Sequence, residues 1–295
     1  MTQWSDYHTP RTVEAAIQTL EEHPDSAIVA GGTDLLLDLD QGRHPSVQCL
    51  IDISRIDELH QVEMTDAYMV IGSAIPLAKL LDNTHIQEQA PGLVEACKLI
   101  GGPQVRNVAT LGGNVAHALP AGDGTIALLS LGAEARLVSQ ASDKWVALPE
   151  LFAGPGEVSF DRKQVLLTTL RFKLRKEREG SAFRRVMRPQ GVAIAIMNMG
   201  VWLRCDPEGK IIDARIALGP GGPTPFLANK GSTALIGHIP DDEVLENVAK
   251  AIRAEARFRT SRHRSTKAYR EHLVSALLHQ TVPEARKRAL EYELT

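Results

Sequence analysis

The segments best suited to bind a ligand contain adjacent glycines, and the first of them is Ala30-Gly31-Gly32-Thr33-Asp34. It directly follows a hydrophobic, strand-like run at 27–30. Glycines at such a turn allow positive φ and bring successive backbone N–H groups close to one ligand, which is how loops bind a pyrophosphate without charged side chains. A tight turn without a ligand is the alternative interpretation of two glycines after a strand.

The second segment is Thr110-Leu111-Gly112-Gly113-Asn114, within a stretch at 101–124 that holds six glycines and two prolines. It offers a further glycine turn, a hydroxyl and an amide, and Asp123 offers an acceptor suited to ribityl or ribose hydroxyls. Structural interpretations stay open, with Asp123 as a turn-capping residue and Asn114 as a left-handed turn residue. Together the two segments predict a site that encloses one diphosphate.

Other chemistry is not indicated by the sequence. There is no Gly-x-Gly-x-x-Gly, Gly-x4-Gly-Lys-Ser/Thr, His-Glu-x-x-His or Gly-x-Ser-x-Gly pattern, so the common nucleotide, zinc-protease and hydrolase sites are not expected. The cysteines are too far apart for a disulfide framework or an iron–sulfur or zinc ligand set; they are Cys49, Cys97 and Cys205. The histidines His60, His85 and His117 have no recurring ligand spacing. We expect no nucleophile, no metal site and a reducing compartment.

Composition narrows the class of partner. The 295 residues suggest about two domains, and 33 Lys and Arg against 36 Asp and Glu give a net charge of -3. This charge does not favour nucleic acid or an anionic membrane, and 4% aromatic residues argue against a platform for single-stranded nucleic acid. The basic cluster at 253–270 is interpreted as a solvated face or a subunit contact.

There is no basic leader, and the longest apolar run, 191–203, is shorter than the about 20 residues that span a bilayer, so a cytoplasmic protein is expected.

Hydrophobic periodicity predicts an α+β chain. The charged segment 175–180 is a linker candidate and predicts a domain boundary near 177. Thr12 as N-cap predicts a helix at 12–22, and Pro76 at a permitted first position predicts one at 76–81. Further helices are expected at 85–99, 241–256 and 266–279. Strands are expected at 27–30, 47–53, 67–71, 134–139, 145–148, 165–174, 182–188, 192–204 and 211–218.

These segments, taken together, resemble the FAD-binding medium subunits of the molybdenum hydroxylases, the family of xanthine dehydrogenase and carbon monoxide dehydrogenase. The resemblance extends over essentially the whole chain, and its specificity comes from the order and spacing of the matching pieces. They are Ala-Gly-Gly-Thr-Asp-Leu-Leu at 30–36, Ile-Gly-Ser-Ala-Ile at 71–75, Pro-Gln-Val-Arg-Asn-Val-Ala-Thr-Leu-Gly-Gly-Asn at 103–114, Ala-Gly-Asp at 121–123, Gly-Pro-Gly at 154–156 and Arg-Ser-Thr-Lys-Ala-Tyr-Arg at 264–270.

The resemblance implies an architecture of two domains. An FAD-binding domain of the vanillyl-alcohol-oxidase (PCMH) type would cover 1–176, with lobes at about 1–57 and 58–176. A C-terminal α+β domain with a small antiparallel sheet and helices would cover 177–295.

The resemblance also implies noncovalent FAD and its contacts. One segment would hold the diphosphate, the other would close on it, Ala116 would lie along the cofactor, and Asp123 would bond its sugar or ribityl hydroxyls. Leu166 would present backbone near the flavin ring, and Arg184 stands where relatives often carry a lysine close to that ring. The FAD-binding residues are therefore expected to be Ala27, Ile28, Val29, Ala30, Gly31, Gly32, Thr33, Asp34, Leu35, Ala109, Thr110, Leu111, Gly112, Gly113, Asn114, Ala116, Asp123, Leu166 and Arg184.

The function implied is that of an electron-output subunit with no catalytic acid, base or nucleophile of its own. A large subunit would carry the molybdenum cofactor, a small subunit two [2Fe–2S] clusters, and FAD here would pass electrons to an external acceptor such as NAD, in a dimer of heterotrimers. Besides Arg184, two departures stand out, Phe183 where some relatives have tyrosine and a less acidic stretch at 188–191; the second leaves the acceptor open. The alternatives are a self-contained flavoprotein oxidoreductase and a non-catalytic nucleotide-binding scaffold.

Overall fold

The computed structural model describes residues 3–188, 194–261 and 264–292. It begins with a small parallel sheet and two helices, which are β1 (Asp6–His8), α1 (Val13–Glu22), β2 (Ser26–Val29), α2 (Leu35–Asp40) and β3 (Cys49–Asp52). The strand order is β1-β3-β2. Thr12 caps α1 as predicted, because its side chain accepts from the N–H of Ala15 at 3.1 Å. The buried face of α1 consists of Val13, Ala16, Ile17 and Leu20.

A five-stranded antiparallel sheet with six helices follows. Its strands are β4 (Val62–Met64), β5 (Tyr68–Gly72), β6 (Glu134–Val138), β7 (Asp143–Ala147) and β10 (Leu166–Lys173), in the order β4-β5-β10-β6-β7. The helices are α3 (Leu77–Leu81), α4 (Thr84–Gln89), α5 (Pro91–Leu99), α6 (Pro103–Arg106), α7 (Leu111–Ala116) and α8 (Asp123–Ser130). A separate hairpin is formed by β8 (Phe152–Gly154) and β9 (Glu157–Val158).

The remaining chain forms a four-stranded antiparallel sheet packed against helices. Its strands, in spatial order, are β11 (Glu179–Val186), β12 (Met197–Cys205), β13 (Ile211–Gly219) and β14 (Phe226–Leu227). The helices are α9 (Asn229–Leu235), α10 (Asp242–Glu255) and α11 (Lys267–Glu291). The α+β class predicted from the sequence is confirmed, whereas the predicted boundary at 177 and the lobe limits at 57 and 58 stay predictions.

β11 connects the five-stranded sheet with the four-stranded sheet, because the two faces of this strand pack into different hydrophobic cores. Ala182 packs into the core formed with α10 and α11, whereas Phe183 packs into the core of the five-stranded sheet and its helices. Ser181 faces the same way as Phe183, and its Oγ accepts the N–H of Gly92 in α5 at 3.2 Å. This alternation follows from the two-residue period of a strand.

Two helices differ from the sequence prediction. The helix expected at 85–99 is two helices, because Pro91 begins α5 and Ala90 before it is not helical, with φ -142° and ψ 59°; a residue that precedes proline is disfavoured in the α region. The helix expected at 266–279 continues to Glu291 and passes through Pro283. Its buried residues, among them Val282 and Ala285, pack into the C-terminal core, and this packing outweighs the cost of an internal proline.

Two members of the basic cluster make contacts within the fold, whereas Arg257, Arg259, Arg264 and Lys267 are exposed. Arg253 pairs with Glu246, and Arg270 is 2% exposed and donates to the carbonyl of Arg259. Arg262 and His263 of this cluster lie outside the described residues, as do residues 189–191 of the less acidic stretch. In the described part of the chain no helix is both long and apolar enough to cross a membrane.

Candidate functional site

The first glycine segment connects β2 to α2 and presents unpaired backbone donors. Gly32 has a φ of +66°, a conformation that favours glycine. The backbone N–H groups of Gly31, Gly32, Thr33 and Asp34 find no hydrogen-bond acceptor among the described residues. Successive free N–H groups in a turn make a concave site for an anion.

The two glycine segments meet at Gly31. A Cβ placed on Gly31 would lie 2.1 Å from the carbonyl oxygen of Val108 and 2.9 Å from the Cα of Ala109. A second contact joins Asp34 Oδ1 to His117 Nε2 at 4.0 Å. Gly31 is therefore required by the close approach of two backbones, and the structure brings the first segment against 108–117.

The second glycine segment is not the turn expected from the sequence. Gly112 and Gly113 lie in the first turn of α7, and Thr110 caps this helix because its Oγ1 accepts the N–H of Gly113 at 3.0 Å. Gly112 donates to the carbonyl of Ser73 at 3.1 Å, and a Cβ on Gly112 would lie 2.5 Å from Ser73 Cβ. The absence of a side chain here serves the packing of α7 against the loop after β5.

Asn114 connects α7 to α8. Its Oδ1 accepts the backbone N–H of Thr125 at 3.0 Å and the hydroxyl of Thr125 at 3.1 Å. Asn114 is helical, so its interpretation as a left-handed turn residue is wrong. Its side chain satisfies an N–H in the first turn of α8, which has no intrahelical acceptor.

Asp123 begins α8 and is buried against the C-terminal sheet. Its Oδ2 lies 2.5 Å from Arg185 Nη1 of β11, and its Oδ1 accepts from Asn198 Nδ2 of β12 at 2.6 Å. The side chains of Asp123 and Arg185 are 7% and 6% exposed. Burial raises the pKa of the Asp123 carboxyl. The charge of Arg185 and the hydrogen bonds from Asn198 and Arg185 lower it, but burial outweighs them and the pKa is raised overall. Arg185 Nε and Asn198 Oδ1 are buried with no hydrogen-bond partner among the described residues.

Arg184, the cation predicted to lie beside a flavin, makes a different contact in the structure. Its Nη1 lies 2.7 Å from Glu95 Oε1 in α5, and it also donates to the carbonyl of Phe183. Because neighbouring strand residues face opposite ways, Arg185 rather than Arg184 contacts Asp123. The ring of Phe183 is 1% exposed and belongs to the core, so it presents no open aromatic face.

The other expected residues lie in three places. Ala27, Ile28 and Val29 are in β2, whose backbone pairs with β3. The carbonyl of Ala116 at the end of α7 accepts from Arg162 Nη2 at 2.5 Å. Leu166 begins β10, and its side chain, 1% exposed, packs with residues of α1, of the segment after β3 and of the loop after β5.

Sequence reasoning missed three residues of this region, which are Arg162, Arg185 and Asn198. Arg185 had a usable signal, since strand alternation requires one of two adjacent arginines to face α8. Asn198 also had one, because an amide within the apolar run 197–203 needs a partner when it is buried. Arg162 follows a hairpin in a polar loop, and no pattern in the sequence distinguishes it.

Comparisons with known proteins agree over nearly the whole chain. Residues 2–171 match the model of the FAD binding domain in molybdopterin dehydrogenase, and residues 181–285 match that of the CO dehydrogenase flavoprotein C-terminal domain. The xanthine dehydrogenase FAD-binding subunit of Escherichia coli O157:H7 is 29% identical over 292 residues, 97% of each chain. The 6-hydroxypseudooxynicotine dehydrogenase complex subunit alpha of Paenarthrobacter nicotinovorans is 30% identical, over 96% of this chain and 95% of that one. A structure of carbon monoxide dehydrogenase from Hydrogenophaga pseudoflava matches with a TM-score of 0.90 at 26% identity, over 96% of this chain and 97% of that chain.

Proposed function

This chain belongs to the family of FAD-binding medium subunits of the molybdenum hydroxylases, and from that premise we propose that it carries electrons from a partner's iron–sulfur clusters to an external acceptor. The resemblance predicted from the sequence is confirmed, as is the fold of an FAD-binding domain followed by a C-terminal domain. The chain is thus an oxidoreductase subunit, and its particular reaction is the subject of the proposal.

The residues of the first segment fit the diphosphate of FAD. Four successive N–H groups, from Gly31 to Asp34, have no acceptor in the described part of the chain and suit its oxygens without a charged side chain. The contact of Gly31 with Val108 and Ala109 closes the turn from the other side. The observation that carries the proposal is this row of N–H groups, without acceptors among the described residues and held where the first segment meets 108–117.

Further residues suit the rest of an extended cofactor. From the first segment, a continuous series of contacts leads through α7 and Asn114 to Asp123 at the start of α8. We assign the FAD contacts to 27–35, to 109–114, to Ala116, Asp123 and Leu166, and to Arg184 with its charge shared by Glu95. Arg185 and Asn198 hold the Asp123 carboxylate in place, so that its remaining lone pairs accept from hydroxyls of the sugar or ribityl chain.

The chain itself supplies binding and electrostatics. When bound, FAD supplies the chemistry, since a flavin accepts electrons singly and releases them in pairs. The buried Arg185, with Nε unpartnered in the described structure, puts positive charge next to the Asp123 end of the site. Because Asp123 compensates this charge, the site offers the cofactor a fixed N–H donor and the dipole of a buried ion pair, and we propose that these adjust the potential of the cofactor in a water-poor environment.

The partners follow from the same assignment. Two [2Fe–2S] clusters would lie on a small subunit and the molybdenum cofactor on a large one, with the three chains in a dimer of heterotrimers. An external acceptor such as NAD would receive the electrons. A wholly self-contained oxidoreductase would need its own proton donor at the site, and within the described residues the buried carboxylate of the site, Asp123, is already ion-paired with Arg185.

The proposal is tested first by the visible spectrum of the purified chain, before and after denaturation. Oxidised flavin bands, with free FAD released into the supernatant, are expected. Gly31→Ala, whose added Cβ would lie 2.1 Å from Val108 O, should lose these bands. Gly222→Ala is its control and should keep them, since its new Cβ would have no atom closer than Thr224 O at 4.0 Å. A colourless chain that takes up no FAD during refolding or incubation would overturn the proposal and favour a non-catalytic scaffold.

A further inference from the structure

Three metal-ligand side chains meet on one face of the first sheet. They are His8 at the end of β1, His23 directly after α1, and Cys49 at the start of β3. Their ligand atoms all lie within 4.8 Å of one another. The two imidazole rings are 4.6 Å apart between centroids and tilted by 43°.

The fold fixes this arrangement from three sides. β1 and β3 are parallel neighbours with Asp6 opposite Cys49 and His8 opposite Ile51, so all four side chains project from one face of the sheet. α1 covers that face through Leu20, which packs with Cys49 and Ile51.

His23 is placed by the end of that helix. It is the C-cap of α1, and its N–H donates to the carbonyl of Thr19. The two histidines are 15 residues apart and the cysteine 26 further on, so no ligand spacing in the sequence reveals the group.

These side chains have no competing partners in the described part of the chain. No hydrogen bond or ion pair involves either imidazole, and Cys49 Sγ has one weak contact, with the carbonyl of Leu50 at 3.6 Å. Cys49 is a free thiol, fully buried, whereas both imidazoles are half-buried and reachable from solvent. Buried or half-buried ligand groups without partners are suited to a ligand that satisfies them together.

We propose that His8, His23 and Cys49 bind one divalent ion of the zinc class, with a water molecule in the fourth position. Imidazole nitrogen and thiolate sulfur are the ligands that zinc prefers, in tetrahedral geometry with Zn–N of about 2.0 Å and Zn–S of about 2.3 Å. Such a geometry places neighbouring donors roughly 3.3 to 3.6 Å apart, so binding requires the three side chains to move together by about 1 Å. The thiol gives up its proton on binding and both imidazoles bind as neutral rings.

The role we assign to the ion is to stabilise the fold; with three protein ligands, the fourth position stays open to an exchangeable water molecule. An ion here ties β1, the end of α1 and β3 together and so stabilises the sheet from which the first glycine segment emerges. It takes no part in electron transfer, because zinc has no redox chemistry. Binding of the ion and binding of FAD are therefore separate measurements on the same chain.

The experiment uses the full chain, freed of metal by a chelator, dialysed and titrated with Co²⁺ as a spectroscopic probe and then with Zn²⁺ in competition. Wild type should bind one ion per chain and show near-ultraviolet sulfur-to-cobalt absorption that Zn²⁺ abolishes. His23→Gln and Cys49→Ala should each weaken metal binding by at least about 100-fold, because loss of a ligand costs more than loss of a residue that only hydrogen-bonds to a ligand, which typically costs about 10- to 100-fold. His85→Gln, an exposed histidine, and Cys205→Ala, a buried cysteine elsewhere, are the matched controls.

Two outcomes would overturn the site. One is binding only at millimolar metal without sulfur-to-cobalt absorption, and the other is equal loss in His85→Gln and His23→Gln. Flavin content and circular dichroism report whether each variant is folded. If Cys49→Ala fails to fold, His23→Gln decides the question, because its half-exposed side chain can be replaced without opening the core.

Discussion

At the scale of single residues, the two adjacent glycines of the first segment are needed for different reasons. Gly32 has positive φ, whereas Gly31 is needed because the backbone of Val108 occupies the space of a side chain. The sequence pattern predicts flexibility at both positions and cannot distinguish them, because the obstacle at Gly31 comes from a residue 77 positions later in the chain. Gly31 is therefore the position that reports on whether the two segments form one site.

Gly31→Ala should lose FAD while leaving the rest of the fold in place. The added Cβ would lie 2.1 Å from Val108 O, so the segments must separate, and over-packing of this kind costs about 1–3 kcal/mol of stability. The flavin-to-protein absorbance ratio and urea unfolding measure the two effects. Gly222→Ala should keep both at wild-type values; full flavin content in Gly31→Ala would show that the cofactor does not depend on this contact.

The adjacent arginines of β11 offer a matched pair of variants. Arg185→Gln leaves the buried Asp123 carboxylate without its cation and should lower the free energy of unfolding by about 3 kcal/mol or more. Arg184→Gln disrupts a contact whose partners are 34% and 23% exposed, and should cost about 1 kcal/mol or less. Adding Asp123→Asn to Arg185→Gln should recover part of the loss, measured as a double-mutant cycle by urea unfolding. Equal losses of unfolding free energy in the two single variants would mean that the buried Asp123–Arg185 pair contributes no more to stability than the half-exposed Arg184–Glu95 pair.

At the scale of elements, local signals predict helix starts better than helix lengths. Thr12 predicts the first residue of α1 correctly, because an N-cap is a local hydrogen bond. The break between α4 and α5 also has a local signal, Pro91. The apolar spacing is helical on both sides of this proline, so periodicity alone predicts one continuous helix. The extension of α11 through Pro283 depends on packing against β11 and β12, which no local pattern encodes.

The same distinction applies to the candidate site. The glycine segments could be located because their residue types are unusual, yet Gly112 and Gly113 turned out to be helical. Asn114 and Asp123 could be singled out as polar residues in a glycine-rich stretch. Their actual partners, Thr125 in one case and Arg185 with Asn198 in the other, depend on tertiary contacts.

Glu95 of α5 fastens the helix to two elements of the C-terminal part. It accepts from Arg184, from Arg288 of α11 at 2.7 Å and from the N–H of Phe183 at 2.8 Å. Burial raises the pKa of Glu95, but the bonds from Arg288, Phe183 and Arg184 outweigh it and the pKa is lowered overall. A lowered folded-state pKa means that the contribution to stability is present above the ordinary pKa of glutamate and is lost as pH falls through the folded value.

Glu95→Gln should therefore be less stable than wild type at pH 7, by about 2 kcal/mol, and should show a shallower decline between pH 6 and pH 3. Urea unfolding at a series of pH values measures both, and the two curves should converge at the acidic end. Glu177→Gln, whose side chain is 51% exposed, should keep the wild-type slope. A slope in Glu95→Gln equal to that of wild type would assign the acid sensitivity to other carboxylates.

At the scale of the whole molecule, one line of contacts links the turn after β2, the helices α7 and α8, and β11. It begins at Gly31 and Asp34, passes His117 and Asn114, and ends where Asp123 meets β11. We expect a cofactor lying along such a line to contact all of these elements, so that its binding and their packing depend on one another. This dependence suits a subunit whose task is to hold one extended cofactor between an electron donor and an acceptor.

The complex should separate substrate oxidation from electron output when this chain lacks its cofactor. With wild-type chain and both partner subunits, a substrate of the complex should bleach the iron–sulfur and flavin absorbance and reduce NAD. With Gly31→Ala in place of wild type, substrate should still bleach the iron–sulfur absorbance, because the molybdenum and cluster sites lie on other chains, while acceptor reduction falls to background. The wild-type chain alone, loaded with FAD, should show no substrate oxidation. Acceptor reduction that persists at the wild-type rate in the flavin-free complex would mean that electrons leave from a partner subunit, and this chain would then be a structural member of the assembly.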